Sequence, residues 1–253
     1  MKYFPDLENK KVIVTGGSKG IGKDIALSFA EHGAQVIITG RDIDSLEQAT
    51  HELRRYQPTC KYVAADISKT KEVFEMIDTA AEHLGTIDIL VNNAGLNIAK
   101  PALEVTEEDW DKVLDTNLKG AFFASQRAAK YMIHNKAGKI INIASQMAFV
   151  GYLNRAAYCS SKGGIVQQTK ALAIEWAPYN INVNAVAPTF IKTDFTEKMF
   201  EDKAFEKDVY QRIPLGRLAS PQDVTGAVLY LSSNLANFVT GETIKVDGGW
   251  TAI

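Results

Sequence analysis

Three residues in the middle of the chain have the types and spacing needed to move a proton. Tyr158 and Lys162 lie four apart at the start of a small-residue run, 156–177, that reads as a helix. Positions i and i+4 share a helix face, so the phenol and the ammonium point at one site. Ser145 lies just upstream, where an apolar, β-prone run over 139–143 stops. A free tyrosine, with a pKa of about 10, is a poor proton-transfer group at neutral pH. A nearby cation favours the phenolate. Lowering the pKa by roughly three units needs about 4 kcal/mol, which a unit charge ~4 Å away supplies near a protein surface. A serine hydroxyl across the site would hold a substrate oxygen while Tyr158 exchanges a proton with it. The spacing alone also describes any solvated helix face, so the expectation depends on what surrounds it.

The surroundings are ordered. Apolar β-branched runs at 11–15, 35–39, 61–65, 87–92, 139–143, 181–185 and 243–246 alternate with helical patterns at 21–32, 43–56, 69–84, 107–134, 156–177 and 221–232. Several strand runs are almost wholly apolar, as in a parallel sheet covered on both faces. The alternation implies right-handed crossovers and an α/β, doubly wound sheet of about seven strands. Thr106 to Asp109 forms a capping box before one helix, and Pro221 after Ser220 marks the start of another. The stretch 188–218 carries many charges and no clean period, which predicts a substrate-binding loop inserted in one domain spanning 1–253.

The first strand runs into Thr15-Gly16-Gly17-Ser18-Lys19-Gly20-Ile21-Gly22. Glycines at 16, 20 and 22 permit a tight turn and close approach of a pyrophosphate, and the following helix offers free N–H groups and its positive end. The spacing is G-x-x-x-G-x-G, directly after a strand and directly before a helix. An NAD site wants a carboxylate about 20 residues on, to accept from the ribose 2′-OH. Here the second strand ends in Gly40-Arg41. Arg41 and Lys19 would flank a 2′-phosphate, Arg41 with paired donors, so NADP(H) is preferred. The alternative has Asp42 taking the ribose of NAD(H) with Arg41 solvated.

With these residues assembled, the chain resembles the short-chain dehydrogenase/reductase family over essentially its whole length. The resemblance rests on Thr15-Gly16-x-x-x-Gly20-x-Gly22, Asp66 after the third strand, Asn92-Asn93-Ala94-Gly95, Asn117, Ser145 and Tyr158-x-x-x-Lys162. It implies a Rossmann-like fold with strand order 3-2-1-4-5-6-7. It also implies hydride transfer between a nicotinamide and a carbonyl or alcohol. Carried over by position, Tyr158 would be the general acid/base, and Ser145 would hold the substrate oxygen. Lys162 would lower the Tyr158 pKa and bind the nicotinamide ribose. Asn117 would anchor a relay water, or satisfy buried backbone in its helix. Asp66 and Ile67 would face adenine, while Asn93, Ala94 and Gly95 would line the adenosine and ribose side. Ser18, Lys19 and Ile21 belong to the same set of cofactor contacts. Pro188, Ile191 and Thr193 fall on the family's cofactor-contacting loop. Thr189 stands where the family usually has glycine, a departure that questions the local backbone, since threonine avoids positive φ.

The substrate is read from polar residues near the site, Gln146, Asn154 and Arg155, which suit a hydroxylated or anionic molecule. The C-terminal Asp247-Gly-Gly-Trp-Thr251 and the region 92–119 resemble the sugar and sugar-acid dehydrogenases of the family. The nearest alternative is a 3-oxoacyl-carrier-protein reductase. A reading from another class is a dinucleotide-binding regulator without turnover, although such proteins usually lose the tyrosine or the lysine. Family members of this size are commonly homotetramers pairing the helices near 107–134 and 156–177 and the last strand.

Bulk properties narrow the field further. The 253 residues are 46% hydrophobic and 23% charged, with a net charge of -2, which gives no nucleic-acid footprint. Two cysteines, Cys60 and Cys159, form no disulfide framework and suit a reducing compartment. The four histidines, His32, His51, His83 and His134, are scattered, and without metal-ligand spacing no metal site is expected. The N-terminal MKYFPDLENK lacks an apolar signal core, and no apolar run reaches membrane-spanning length, so a cytoplasmic protein without membrane partners is expected.

Overall fold

In a computed structural model of the chain, residues 3–191 and 198–252 are described. Seven strands form one sheet: β1 (Lys11–Thr15), β2 (Gln35–Gly40), β3 (Lys61–Ala64), β4 (Ile89–Asn92), β5 (Gly138–Ile143), β6 (Ile181–Pro188) and β7 (Thr243–Val246). Their order is β3-β2-β1-β4-β5-β6-β7, and every neighbouring pair is parallel. The order reverses between β1 and β4, and a crevice opens beyond the carboxyl ends of the strands at such a point.

Alternate residues of each apolar strand serve opposite faces. Val12 and Val14 pack with α1 (Gly20–Glu31) and α2 (Ile43–Leu53), through Phe29, Leu46 and Leu53. Ile13, between them, packs with α3 (Thr70–Leu84) on the other face. That face also receives α5 (Gly120–Asn135) and the end of α6 (Ala156–Trp176). The first face is completed by α8 (Pro221–Ser232), through Val224 and Val228. Each large aliphatic side chain so removed from water contributes roughly 1.5–3 kcal/mol, and the residues named on the strands are fully buried.

Two elements differ from the sequence reading. The helix expected over 107–134 is two helices, α4 (Glu107–Leu114) and α5, joined by a π-helical turn at Asp115–Lys119. Such turns insert a residue into the helical ladder and cluster at functional sites. The stretch 188–218, expected to be irregular, contains a regular helix, α7 (Lys203–Gln211). Its N-terminus is capped by Asp202, which accepts from the Ala204 and Phe205 amides. Phe205 and Val209, four apart, face an aromatic cluster with Phe190, Phe200, Tyr152 and Trp250. The capping boxes at Thr106–Asp109 and Ser220–Asp223 are both formed.

Candidate active site

A cleft of about 540 Å³ opens at the crevice. One end is built by the glycine turn. Gly16 has φ +64°, and a Cβ there would fall 2.9 Å from the Ala94 Cα. A Cβ on Gly22 would fall 2.3 Å from the Asn93 side-chain nitrogen. These two glycines therefore admit neighbouring protein, not only a ligand. Asn93 donates its side-chain amide to the Thr15 and Gly16 carbonyls, 3.0 Å each. The Thr15 hydroxyl accepts from the Asn93 and Ala94 amides. The turn is thus laced to the end of β4 and preformed.

The start of α1 faces this cleft with Gly20, Ile21 and Gly22, and Lys19 stands at its N-cap without a capping side chain. Uncapped N–H groups at a helix N-terminus form an anion site. The Asn97 Oδ1 and Thr189 Oγ1 atoms, on residues that also line the cleft, are buried and have no hydrogen-bond partner among the described residues. An open anion site and orphaned polar atoms in one cleft fit a bound dinucleotide.

Gly16, Asn93, Ala94, Gly95, Pro188 and Ile191 line the same cleft. Ser18, Arg41, Asp66, Ile67 and Asn117 lie outside that lining, and Thr193 lies outside the described residues. Arg41 is exposed at the end of β2. Asp42 is the N-cap of α2 and accepts from the Ser45 amide at 2.8 Å. Hydrogen bonding to Ser45, with a smaller contribution from the Lys19 charge, holds the Asp42 carboxyl below its ordinary range. Asp66 likewise closes a local turn, accepting from the Ser68 amide and hydroxyl. Burial pushes its carboxyl up, but the Ser68 bonds and the Arg41 and Lys69 charges outweigh that and hold it low.

At the other end, Ser145 ends the segment after β5 and caps the short turn Gln146–Ala148. Its hydroxyl accepts from the Met147 amide at 3.2 Å and donates to the Gln146 Oε1 at 2.8 Å. Tyr158 and Lys162 stand on the first turns of α6, and the ammonium lies 5.7 Å from the phenol ring centre. The Lys162 Nζ donates to the Ile143 carbonyl at 2.6 Å. Burial pushes the Tyr158 phenol above its ordinary range, while the Ser145 hydroxyl and the Arg155 charge oppose it. Burial also brings Lys162 down to about 8. Desolvation is thus the largest influence on both groups.

Asn117 sits in the π-helical turn, and its side chain is committed to the protein. Its Oδ1 accepts from the Leu96 amide at 2.8 Å, and its Nδ2 donates to the Leu96 carbonyl and the Ser161 hydroxyl. The Ser161 hydroxyl donates in turn to the Tyr158 carbonyl. The extra residue of the π turn thereby ties the loop after β4 to the helix that carries Tyr158 and Lys162. Beneath it runs a buried chain that sequence reading missed. Asn92 donates to the Ser125 hydroxyl and the Asn142 Oδ1, and Asn142 donates to the Thr169 hydroxyl. Polar residues at the ends of two apolar strands were its only signal. Thr189, in place of the expected glycine, has no positive φ. Its amide donates to the Val246 carbonyl at 3.1 Å, so the threonine fits the backbone without strain. Among the described residues no group of three or more His, Cys, Asp or Glu is placed to hold a metal ion.

Comparison with known proteins follows this geometry. A family model described as enoyl-(acyl carrier protein) reductase matches residues 16–251. The chain is 41% identical over 251 residues to the 2-dehydro-3-deoxy-D-gluconate 5-dehydrogenase of Escherichia coli K12, covering 97% of each. It is 38% identical over 247 residues to the NAD-dependent glycerol dehydrogenase of Listeria innocua, covering 97% of this chain and 95% of that one. A solved structure from Agrobacterium tumefaciens, provisionally named a 2-deoxy-D-gluconate 3-dehydrogenase and holding NADP, superposes with a TM-score of 0.89 at 37% identity, covering 100% of both chains.

Proposed function

The chain belongs to the short-chain dehydrogenase/reductase family and is an NAD(P)-dependent oxidoreductase of CH–OH groups, and from that premise we propose that it interconverts a ketone and a secondary alcohol on a small sugar acid, with NADP(H) as its preferred dinucleotide. The observation that carries the reading is the cleft itself. Ser145, Tyr158 and Lys162 share one lining with the glycine turn, and among the described residues that lining contains no carboxylate. Relatives named for gluconate derivatives support the substrate class. The commitment of Asp42 to capping α2, beside an exposed Arg41, supports a 2′-phosphate over a free 2′-OH.

In this proposal the amides of Gly20, Ile21 and Gly22 hold the pyrophosphate, and Ser18, Lys19 and Arg41 serve the 2′-phosphate. Asp66 and Ile67 flank the adenine, while Asn93, Ala94 and Gly95 shape the ribose floor. Pro188, Ile191 and Thr193 border the nicotinamide end, and Lys162 takes its ribose. The bound nicotinamide supplies or accepts the hydride. Tyr158 and Ser145 hold the substrate oxygen, where charge develops. The Tyr158 Oη gives its proton to that oxygen in reduction and takes it back in oxidation. Asn117 is a positioning residue that holds the Leu96 loop against α6. We also propose a homotetramer, supported by the exposed Ile174 on α6 and Phe238 before β7, and a cytoplasmic location, supported by the free Cys60 and Cys159.

A substrate panel tests the function. D-gluconate, 2-dehydro-3-deoxy-D-gluconate, glycerol and an acetoacetyl thioester are each offered with both dinucleotides. Turnover concentrated on the acids, and faster with the NADP couple, is the expected result. The second reading, reduction of a carrier-bound thioester, is favoured by the description of the matching family model, and turnover of the thioester alone would establish it.

A further inference from the structure

The aromatic cluster behind the substrate end of the cleft has no part in the mechanism so far. Met147 and Phe190 form its front and line the cleft. Its back comes from separate stretches: Tyr152 after the Gln146–Ala148 turn, Phe205 and Val209 on α7, and Trp250 near the C-terminus. The ring of Phe190 lies 5.8 Å from that of Tyr152, 5.4 Å from Phe205 and 5.7 Å from Trp250, between centres. The first two contacts are edge-to-face, an arrangement that ring quadrupoles favour. Trp250 is brought there by a turn folded on Asp247. That carboxylate accepts from the Gly249 and Thr251 amides at 3.0 Å each and from the Thr251 hydroxyl at 2.6 Å.

A polar knot fixes α7 on this packing. The Tyr152 Oη donates to the Asp208 Oδ2 at 2.7 Å. Arg212, one helical turn beyond, donates its Nε to both oxygens of the same carboxylate, at 3.0 and 2.9 Å. Its guanidinium lies 5.7 Å from the Tyr152 ring centre and 5.9 Å from that of Trp250. Bonds from Arg212 and Tyr152 hold the Asp208 carboxyl below its ordinary range. Burial, with the Asp208 bond, pushes the Tyr152 phenol up. A neutral phenol therefore donates to a charged carboxylate, the stronger class of hydrogen bond. Tyr152 is the crossing point, its ring behind Phe190 and its hydroxyl on α7. We propose that Tyr152 is a positioning residue for the substrate: through Asp208 it pins α7 against the back of Phe190, so that the wall the substrate meets is set before binding. This rests on reading that end of the cleft as the substrate site, whichever alcohol enters. A wall that is in place only part of the time weakens apparent affinity by that fraction. Tyr152 itself lies outside the cleft lining, so the effect falls on KM.

Tyr152→Phe removes the hydroxyl alone, and Asp208→Ala removes its acceptor. Both singles and the double variant are compared with wild type on whichever of D-gluconate, 2-dehydro-3-deoxy-D-gluconate and glycerol the wild type oxidises fastest. KM and kcat are measured, with NADPH affinity by fluorescence and amide hydrogen exchange over 203–211. Each single should raise KM about 3- to 10-fold, with kcat and NADPH affinity within about twofold of wild type. That lies below the range for a buried bond to a charge, because the Asp208 side chain is 40% exposed. The double should be no worse than the worse single, since both substitutions break one bond. Asp208→Asn, which keeps an acceptor for the phenol, should fall between wild type and Asp208→Ala. The α7 amides should exchange faster in both singles. A lower Tm with unchanged KM would make the bond merely structural and overturn the assignment. Additive effects on KM, or an equal loss of NADPH affinity, overturn it as well. Wild type that oxidises only glycerol overturns the sugar-acid reading and leaves the KM comparison to decide this assignment. Should none of the three be oxidised, unchanged α7 exchange in both singles overturns the pin and faster exchange upholds it.

Discussion

The two ends of the cleft are made in opposite ways. At the glycine turn, polar groups are committed to the protein: Asn93 to the Thr15 and Gly16 carbonyls, Thr15 to two amides, Asp42 to its helix. At the substrate end, the buried Lys162 ammonium rests on the Ile143 carbonyl, and the Thr189 hydroxyl and the Asn97 side-chain oxygen have no partner among the described residues. Buried polar groups without partners destabilise a fold by about 1–3 kcal/mol each. The difference separates two tasks. A rim that only has to fit a constant molecule is locked in advance, whereas the substrate end leaves polar atoms unpartnered for a ligand to meet.

The largest effect expected of this contrast is chemical and confined to one end. Tyr158→Phe removes the proton-transfer group and nothing that holds the rim. Turnover should fall by about 10²–10⁴-fold or more, with NADPH affinity within about twofold of wild type. Near-normal turnover would remove the phenol from the mechanism. The pH profile of wild type sharpens the same point. Burial raises the Tyr158 pKa, and oxidation needs the phenolate, so the oxidation rate should climb through the alkaline range. Reduction uses the phenol and should hold level at neutral pH.

At the rim the expected damage is to stability and binding together. Gly22→Ala would drive a methyl into the Asn93 amide and the Gly16 carbonyl, each 2.3 Å from the new Cβ. Overpacking of that order costs roughly 1–3 kcal/mol, or about 2–4 °C in Tm per kcal/mol for a chain of this size. NADPH binding should weaken in step. An unchanged Tm with intact binding would mean that the turn is not locked.

How much of this was legible beforehand follows the same division. The strand boundaries at Lys11–Thr15 and Thr243–Val246 were read correctly, because apolar β-branched runs between turn residues report burial directly. The glycine turn and the Tyr158–Lys162 pair were legible for the same reason, as local spacing. Beyond the buried Asn92–Asn142–Thr169 chain, three features were not. The π turn at Asp115–Lys119 leaves no periodic mark, since one added residue hardly shifts a helical pattern. The helix Lys203–Gln211 shows only Phe205 and Val209 as apolar anchors, and its charged face masks the period. The sign of the Tyr158 shift depends on desolvation, which a sequence does not state. Spacing places the cation near the phenol, but only packing reveals that the ammonium is buried and lies 5.7 Å from the ring centre.

A smaller effect tests which dinucleotide the rim was built for. Arg41→Ala should weaken NADPH by about 10-fold or somewhat more, the worth of a charge-assisted contact at an exposed site, and leave NADH nearly unchanged. An equal loss for both dinucleotides would deny Arg41 the 2′-phosphate and return Asp42 to consideration as the ribose acceptor.

The subtlest expectation returns to the substrate end and reverses the usual direction of a core substitution. Lys162 has an ordinary pKa of 10.5, brought down by burial to about 8. Below pH 8 the folded and unfolded chains both carry the proton, and the folded chain bears the full cost of a buried ammonium. Between about 8 and 10.5 the unfolded chain binds more protons than the folded one, so stability rises with pH through that window. The shift corresponds to roughly 3 kcal/mol. Lys162→Met removes the ammonium and also the bond to the Ile143 carbonyl, which returns about 1 kcal/mol of the gain. At pH 7, without ligands, the variant should therefore be inactive yet more stable by ~2 kcal/mol, a rise of several degrees in Tm. That advantage should shrink as the pH approaches 10.5. A variant less stable than wild type at pH 7 would show the ammonium to be well held where it stands, and the contrast between a settled rim and an unsettled catalytic end would not extend to this lysine.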